Sequence, residues 1–168
     1  MKLVDLFCGG GGSSSGFHQA GFKSIVAIDQ IKSCIDTYNH NFGDVAFSTD
    51  ISNLRSEKIL ARIESKPLVV TASPPCEPFT LANEKRIVNP YERLFDDEIG
   101  RLMLHAIRLI GDLEPEFFII ENVRGILDGD GEVLLSEEIK RVGLGKPYFT
   151  FINAEKFGVP SKRVRVLI

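Results

Sequence analysis

The chain has 168 residues, 43% of them hydrophobic and 26% charged, with a net charge of −3. That length supports one domain with a sizeable core, the charge argues against a large basic face, and no apolar run reaches the length of a membrane span. Met1-Lys2-Leu3-Val4-Asp5 is too short and too soon charged for a signal peptide, and Cys8, Cys34 and Cys76 form neither a zinc pattern nor a disulfide framework, which fits a reducing, cytoplasmic setting.

Lys2 to Phe7 reads as a short strand that runs into Gly9-Gly10-Gly11-Gly12 and Ser13-Ser14-Ser15-Gly16, with Phe17, Ala20 and Phe22 at roughly helical spacing behind. Glycines let the backbone pass close to a ligand, and a helix start offers free N–H groups to an anion. A plain flexible turn is the alternative. Ser24 to Asp29 is the second strand, ending in an acid about twenty residues past the glycines, where a carboxylate can accept both ribose hydroxyls of an adenosine. Asp29 could equally cap a helix over Lys32 to Asn41. In that helix Cys34, Ile35 and Tyr38 share one side, which places Cys34 in the core. Val45 to Ser48 is a third strand, followed by Asp50-Ile51, again an acid at a strand end. Residues 55–64 predict an amphipathic helix with Ile59, Leu60 and Ile63 inward.

Leu68 to Ala72 reads as a buried strand that delivers Ser73-Pro74-Pro75-Cys76-Glu77-Pro78-Phe79-Thr80. Each proline fixes φ and removes a donor, so three of them make a stiff turn that can hold one thiol still at a surface. An inert packed cysteine is the competing reading. Residues 80–96 lack clear periodicity and carry Lys85, Arg86 and Arg93, either a functional loop or a solvated one. Asp96 to Asp112 predicts one helix with Ile99, Leu102, Met103, Ala106, Ile107 and Ile110 on its apolar face. Glu116 to Val123 predicts a fifth, buried strand that runs into Glu121-Asn122. A carboxylate there is costly unless paired, and Asn122 is suited to fixing the following loop. Glu132 to Val142 is a helix and Tyr148 to Asn153 a strand. In the last stretch Arg163 and Arg165 sit at strand spacing, so both point to one face, where an anion or a polar base edge would relieve their repulsion.

Alternating strands and helices predict an α/β fold with a mainly parallel sheet and helices on both faces, as one domain over residues 1–168. Right-handed crossovers would bring the glycine loop, Asp29, Asp50, Cys76 and Glu121 to one sheet edge.

These residues make the chain resemble the cytosine-5 methyltransferases that act on DNA, together with their tRNA-methylating relatives. Asp5-Leu6-Phe7-Cys8-Gly9-Gly10-Gly11-Gly12 resembles the family's S-adenosylmethionine loop. Pro75-Cys76 is similar to its catalytic Pro-Cys, Glu121-Asn122-Val123 to its Glu-Asn-Val, and Arg163-Val164-Arg165 to its paired arginines. The resemblance implies a Rossmann-like methyltransferase fold, incomplete at the C-terminus because the target-recognition region is absent. It implies S-adenosylmethionine held by Phe7, Cys8, Gly9, Gly10, Gly11, Gly12, Asp29, Gln30, Asp50, Ile51, Pro75 and Leu94, and no metal. It further implies catalysis by Cys76 as nucleophile on C6, Glu121 kept partly protonated by burial against N3 and the exocyclic amine, and Arg165 with Arg163 on the base O2. Glu77 stands where the family usually has Gln, Ser161 likewise, and Gln30 where a residue often packs on adenine. The implied partners are DNA, with RNA as the alternative, and a second polypeptide or missing region for target recognition. A dinucleotide-dependent oxidoreductase would share only the glycine loop and Asp29, and a non-catalytic binding module would share the fold.

Overall fold

The computed structural model describes residues 1–168 and resolves into two compact units. The first comprises Met1–Ser73 with Arg108–Ile119, and the second Pro74–Ile107 with Ile120–Ile168.

The first unit contains β1 (Lys2–Leu6), β2 (Lys23–Asp29), β3 (Ala46–Ser48) and β4 (Val69–Ala72), hydrogen-bonded in the order β3-β2-β1-β4 and all parallel. Strands covered on both faces read as near-continuous apolar runs. Leu3, Val4, Leu6, Val26, Ala27, Ile28, Val70 and Ala72 are accordingly buried. Two helices follow the first two strands, α1 (Gly12–Gln19) and α2 (Lys32–Phe42). Ile35 and Tyr38 of α2 cluster with Cys8, Ala27 and Ala46, and Phe42 and Val45 pack against that cluster. Cys34, expected in the core, is only half-buried.

The helix expected over 55–64 condenses to one turn, α3 (Glu57–Leu60), preceded by a 3-10 turn at Ile51–Asn53. A single turn has little stability of its own. Of its three expected inward residues only Ile59 is fully buried, while Leu60 is 42% exposed.

The second unit contains α4 (Pro90–Phe95), α6 (Gly131–Arg141), β6 (Thr150–Asn153) and β7 (Val164–Leu167). β5 (Phe117–Asn122) ends here, and β7 lies between it and β6, antiparallel to both. Glu121 faces Leu167 and Asn122 faces Val166 across one ladder, and Ile152 faces Arg165 across the other. Phe79, Leu94, Met103, Ala106, Ile120, Ile126, Leu135, Ile139 and Val166 are buried. Tyr148, Phe151, Phe157, Val159 and Val164 are large apolar side chains left in solvent, Phe157 at 72% exposure. Phe117, expected inside a buried strand, is also exposed.

The helix expected over 96–112 begins late, and a separate short helix, α4, lies before it in the stretch that lacked clear periodicity. Asn89 caps α4, accepting from the Tyr91 N–H at 2.9 Å, with Pro90 in the first helical position. Asp97 then turns its carboxylate onto the N–H groups of Ile99 (3.0 Å) and Gly100 (2.7 Å), and α5 (Leu102–Leu113) starts only beyond that turn. A short acid side chain that captures its own following backbone competes with helix formation. No helix is long and apolar enough to cross a membrane.

Candidate active site

In the first unit the chain leaves β1 through a turn with unusual backbone. Phe7 has φ 60°, Gly9 φ 51° and Gly11 φ 96°. The Cys8 N–H donates to Ile28 O and the Gly11 N–H to Cys8 O, both at 2.9 Å, which fixes the turn against β2. Gly11 caps α1, and a Cβ there would sit 2.2 Å from Phe42 Cε2, so only glycine fits. A Cβ on Gly9 or Gly12 would meet nothing. The loop is thus pressed inward at Gly11, lies close to Thr37 at Gly10 and is open at Gly9 and Gly12, and the first turn of α1 presents N–H groups that the helix itself cannot satisfy.

Asp29, at the end of β2, laces this turn together. Its Oδ2 accepts from the Gly9 N–H and its Oδ1 from the Ile31 N–H, both at 2.9 Å. Ile31, not Asp29, is the N-cap of α2. Gln30 is exposed, and its carbonyl accepts from Ser48 Oγ at 3.0 Å. Asp50 is exposed and caps the 3-10 turn, accepting from Ser52 N at 2.9 Å, from Ser52 Oγ at 2.7 Å and from Asn53 Nδ2 at 3.0 Å. Ile51 is buried beside it. Cys8 is buried, and burial, with the Asp5 and Asp29 carboxylates adding, pushes its thiol far up, so it stays a packed thiol. Open space beside Gly9 and Gly12, helix-end donors and an acid at the next strand tip fit an adenosine-bearing cofactor with an anionic tail.

Sequence reasoning missed what holds α1 behind that loop. Ser14 Oγ donates to Asp5 Oδ2 and lies against Tyr38 OH, each at 2.6 Å. Tyr38 OH reaches Ser24 Oγ at 2.8 Å, and Ser24 Oγ lies 3.0 Å from His18 Nε2. Asp5 is 1% exposed and its Oδ1 has no partner. Burial drives its carboxyl up to about 7, opposed by the Ser14 hydrogen bond and helped by the Asp29 charge. The serine run carried the signal, but a polar side chain directed inward from a helix start is visible only once the helix is placed.

In the second unit, Pro74 is buried while Pro75 and Cys76 are half-buried. The N–H groups of Phe79 (3.0 Å) and Thr80 (2.9 Å) both donate to Cys76 O, closing a tight turn around the thiol, and Glu77 points to solvent. Asn122, 1% exposed, donates from Nδ2 to Pro74 O at 3.2 Å and accepts from the Val123 N–H at 2.8 Å. The residue expected to fix the loop therefore ties the end of β5 to the start of the cysteine turn. Glu121 is not buried as expected. Its side chain is 32% exposed, and Arg165 Nε donates to Oε1 at 2.9 Å from the neighbouring strand. Arg165 also donates from Nη1 to Val164 O at 2.8 Å. Arg163 is exposed, its carbonyl accepting from the Ala154 N–H at 2.9 Å, so the two arginines differ in surroundings: Arg165 pairs with a carboxylate and Arg163 faces solvent. Leu94 is 3% exposed on α4. Of the three loop cations only Lys85 faces solvent fully; Arg93 is 2% exposed and Arg86 pairs with Asp128. No group of three or more His, Cys, Asp or Glu side chains is placed to hold a metal.

A family model described as C-5 cytosine-specific DNA methylase matches residues 1–168. Among curated proteins the chain is 35% identical to the type II methyltransferase M.AquIA of Picosynechococcus over 181 residues, covering 99% of this chain and 70% of that protein. It is 32% identical over 221 residues to a Methanocaldococcus jannaschii protein provisionally assigned as a type II methyltransferase, of which it spans 60%. The crystal structure of the Dnmt2 methyltransferase of S. pombe superimposes with a TM-score of 0.70 at 26% identity, over 99% of this chain and 49% of that one. The match along the whole chain and the shared fold establish that it belongs to the C-5 cytosine-specific DNA methylase family.

Proposed function

We propose that this chain is the catalytic portion of an enzyme that methylates C5 of cytosine in DNA through a covalent cysteine adduct, with a second polypeptide or further chain supplying target recognition. The reading is supported above all by the tie between Asn122 and Pro74, which joins the Glu121 strand to the Cys76 turn within one unit.

Cytosine C5 is a poor nucleophile. Cys76, as thiolate, adds to C6, which makes the ring an enamine with electron density at C5. Arg165 orients Glu121 by the 2.9 Å ion pair, so that the carboxyl meets N3 and the exocyclic amine. Arg163, exposed beside it, serves the base O2 and neighbouring backbone. When bound, S-adenosylmethionine would supply the electrophilic methyl group, and the loop from Phe7 to Gly12 with Asp29, Gln30, Asp50 and Ile51 would hold it. Once C5 carries the methyl, solvent water would take the C5 proton, and the freed electron pair re-forms the C5–C6 double bond as the C6–S bond breaks and the Cys76 thiolate leaves. A base in a duplex must first leave the stack, at a cost of a few kcal/mol.

The test is adduct formation on duplex DNA carrying 5-fluorocytosine, which lacks the proton that releases the enzyme. With cofactor and the target-recognizing polypeptide present, a denaturation-resistant complex is expected on DNA, weaker on RNA of the same sequence and absent in Cys76→Ala. An adduct that persists in Cys76→Ala, or none on either nucleic acid, overturns the reading. Alone, the chain is expected to transfer little or no methyl, because its net charge of −3 offers few counterion-releasing contacts to phosphate.

A further inference from the structure

The stretch between Cys76 and α4 exposes Leu81 and Val88, yet Arg86 anchors it. Arg86 Nη2 donates both to Gly125 O at 2.9 Å and to Asp128 Oδ2 at 2.8 Å. Arg93 Nη2 donates to Asp128 O at 3.2 Å. Phe79 O presses against Gly125, where a Cβ would lie only 2.2 Å away, and Pro90 Cγ stands 3.2 Å from the Cβ position of Gly129. With the Asn122 to Pro74 bond, these contacts seam the stretch from Pro74 to Arg93 to the segment after Glu121 at separate points.

This seam is poorly explained as a stabilising device. Two guanidiniums share the side chain and carbonyl of a single acid, and Nε of both is buried with no partner. Buried unmatched donors cost free energy, and burial together with the Arg86 charge lowers the Arg93 pKa. An apolar contact would fasten the two segments at less cost. Charged, directional bonds instead fix register, because both partners of Arg86 must be met at once.

We propose that Arg86 and Asp128 are positioning residues that set the Cys76 turn relative to Glu121, acting through the backbone of residues 77–85 and 123–127 and touching no substrate. The proposal rests on the cytosine-adduct reading only for its catalytic consequence.

The experiment uses the full chain and reads Cys76 alkylation by iodoacetamide with peptide mapping, which separates it from Cys8 and Cys34. In Arg86→Ala and in Asp128→Asn the alkylation rate of Cys76 is expected to rise about tenfold under native conditions, the factor one charge-assisted hydrogen bond supports. Arg86→Lys keeps a cation able to reach both acceptors, and should hold the rate within about twofold of the parent. Cys8 alkylation reports global opening and should stay constant. The yield of the 5-fluorocytosine adduct should fall in the alanine variant and recover in the lysine one. An unchanged Cys76 rate in Arg86→Ala, a lysine variant no better than alanine, or a rise in Cys8 matching that of Cys76 overturns the proposal. If the parent forms no adduct while the thiol pattern holds, the clasp stands and the cytosine chemistry fails.

Discussion

Gly11 and Gly9 both have positive φ, yet they differ in what surrounds them. At Gly11 an added methyl meets the Phe42 ring, so Gly11→Ala combines a left-handed backbone with overpacking and is expected to cost about 3 kcal/mol. Gly9→Ala meets open space and carries only the backbone term, about 1 kcal/mol. Urea denaturation of the two variants side by side checks the contrast, and equal losses would remove the Phe42 contact as the cause. Asp5 makes a second residue-level expectation. Its carboxyl titrates near 3.8 unfolded and about 7 folded, so between those values the folded chain keeps a proton the unfolded chain has released. Its contribution is full below the lower value and is lost as pH rises through the upper one, a decline of up to roughly 4 kcal/mol. Asp5→Asn keeps an acceptor for Ser14 but cannot titrate, so its stability should vary less across that window than the parent's. Parallel pH profiles would show that Asp5 is not the titrating group.

At the scale of elements, legibility followed whether a signal was local. The glycine turn, the apolar strands and the Pro-Pro-Cys turn announce themselves by residue type and order, and each lies where expected. The helix read over 96–112 is present as α5 but begins only at Leu102, because its apolar spacing continues through Asp97 and Gly100 while the Asp97 carboxylate captures the backbone there. The Asn89-Pro90 start of α4 was a readable cap that weak periodicity concealed. Removing that cap in Asn89→Ala should cost about 1 kcal/mol, with faster amide exchange over residues 91–95. Unchanged exchange there would mean the cap is dispensable. The Glu121 environment was misjudged because burial depends on the strand paired beside it. Only the ladder with β7 brings Arg165 to the carboxylate. The Asp5 cluster and the Arg86 clasp join residues far apart in sequence, for which no spacing rule exists.

For the molecule as a whole, the division into two units also divides the proposed site residues. Most of the residues read as holding the cofactor lie in the first, and all four read as catalytic lie in the second. Substitutions at Cys76 or Arg165 should therefore leave the affinity for S-adenosylhomocysteine within about twofold, whereas Asp29→Ala, which releases the Gly9 amide, should weaken it about tenfold or more. Calorimetric titration of each variant decides, and equal losses at Cys76 and Asp29 would count against that division. The aromatic residues left in water between Tyr148 and Phe157 have a practical consequence. Oily surface of this kind favours clumping. Light scattering from the purified chain should grow with protein concentration, and replacing Phe157 by Asp should clear the solution without altering the far-ultraviolet spectrum.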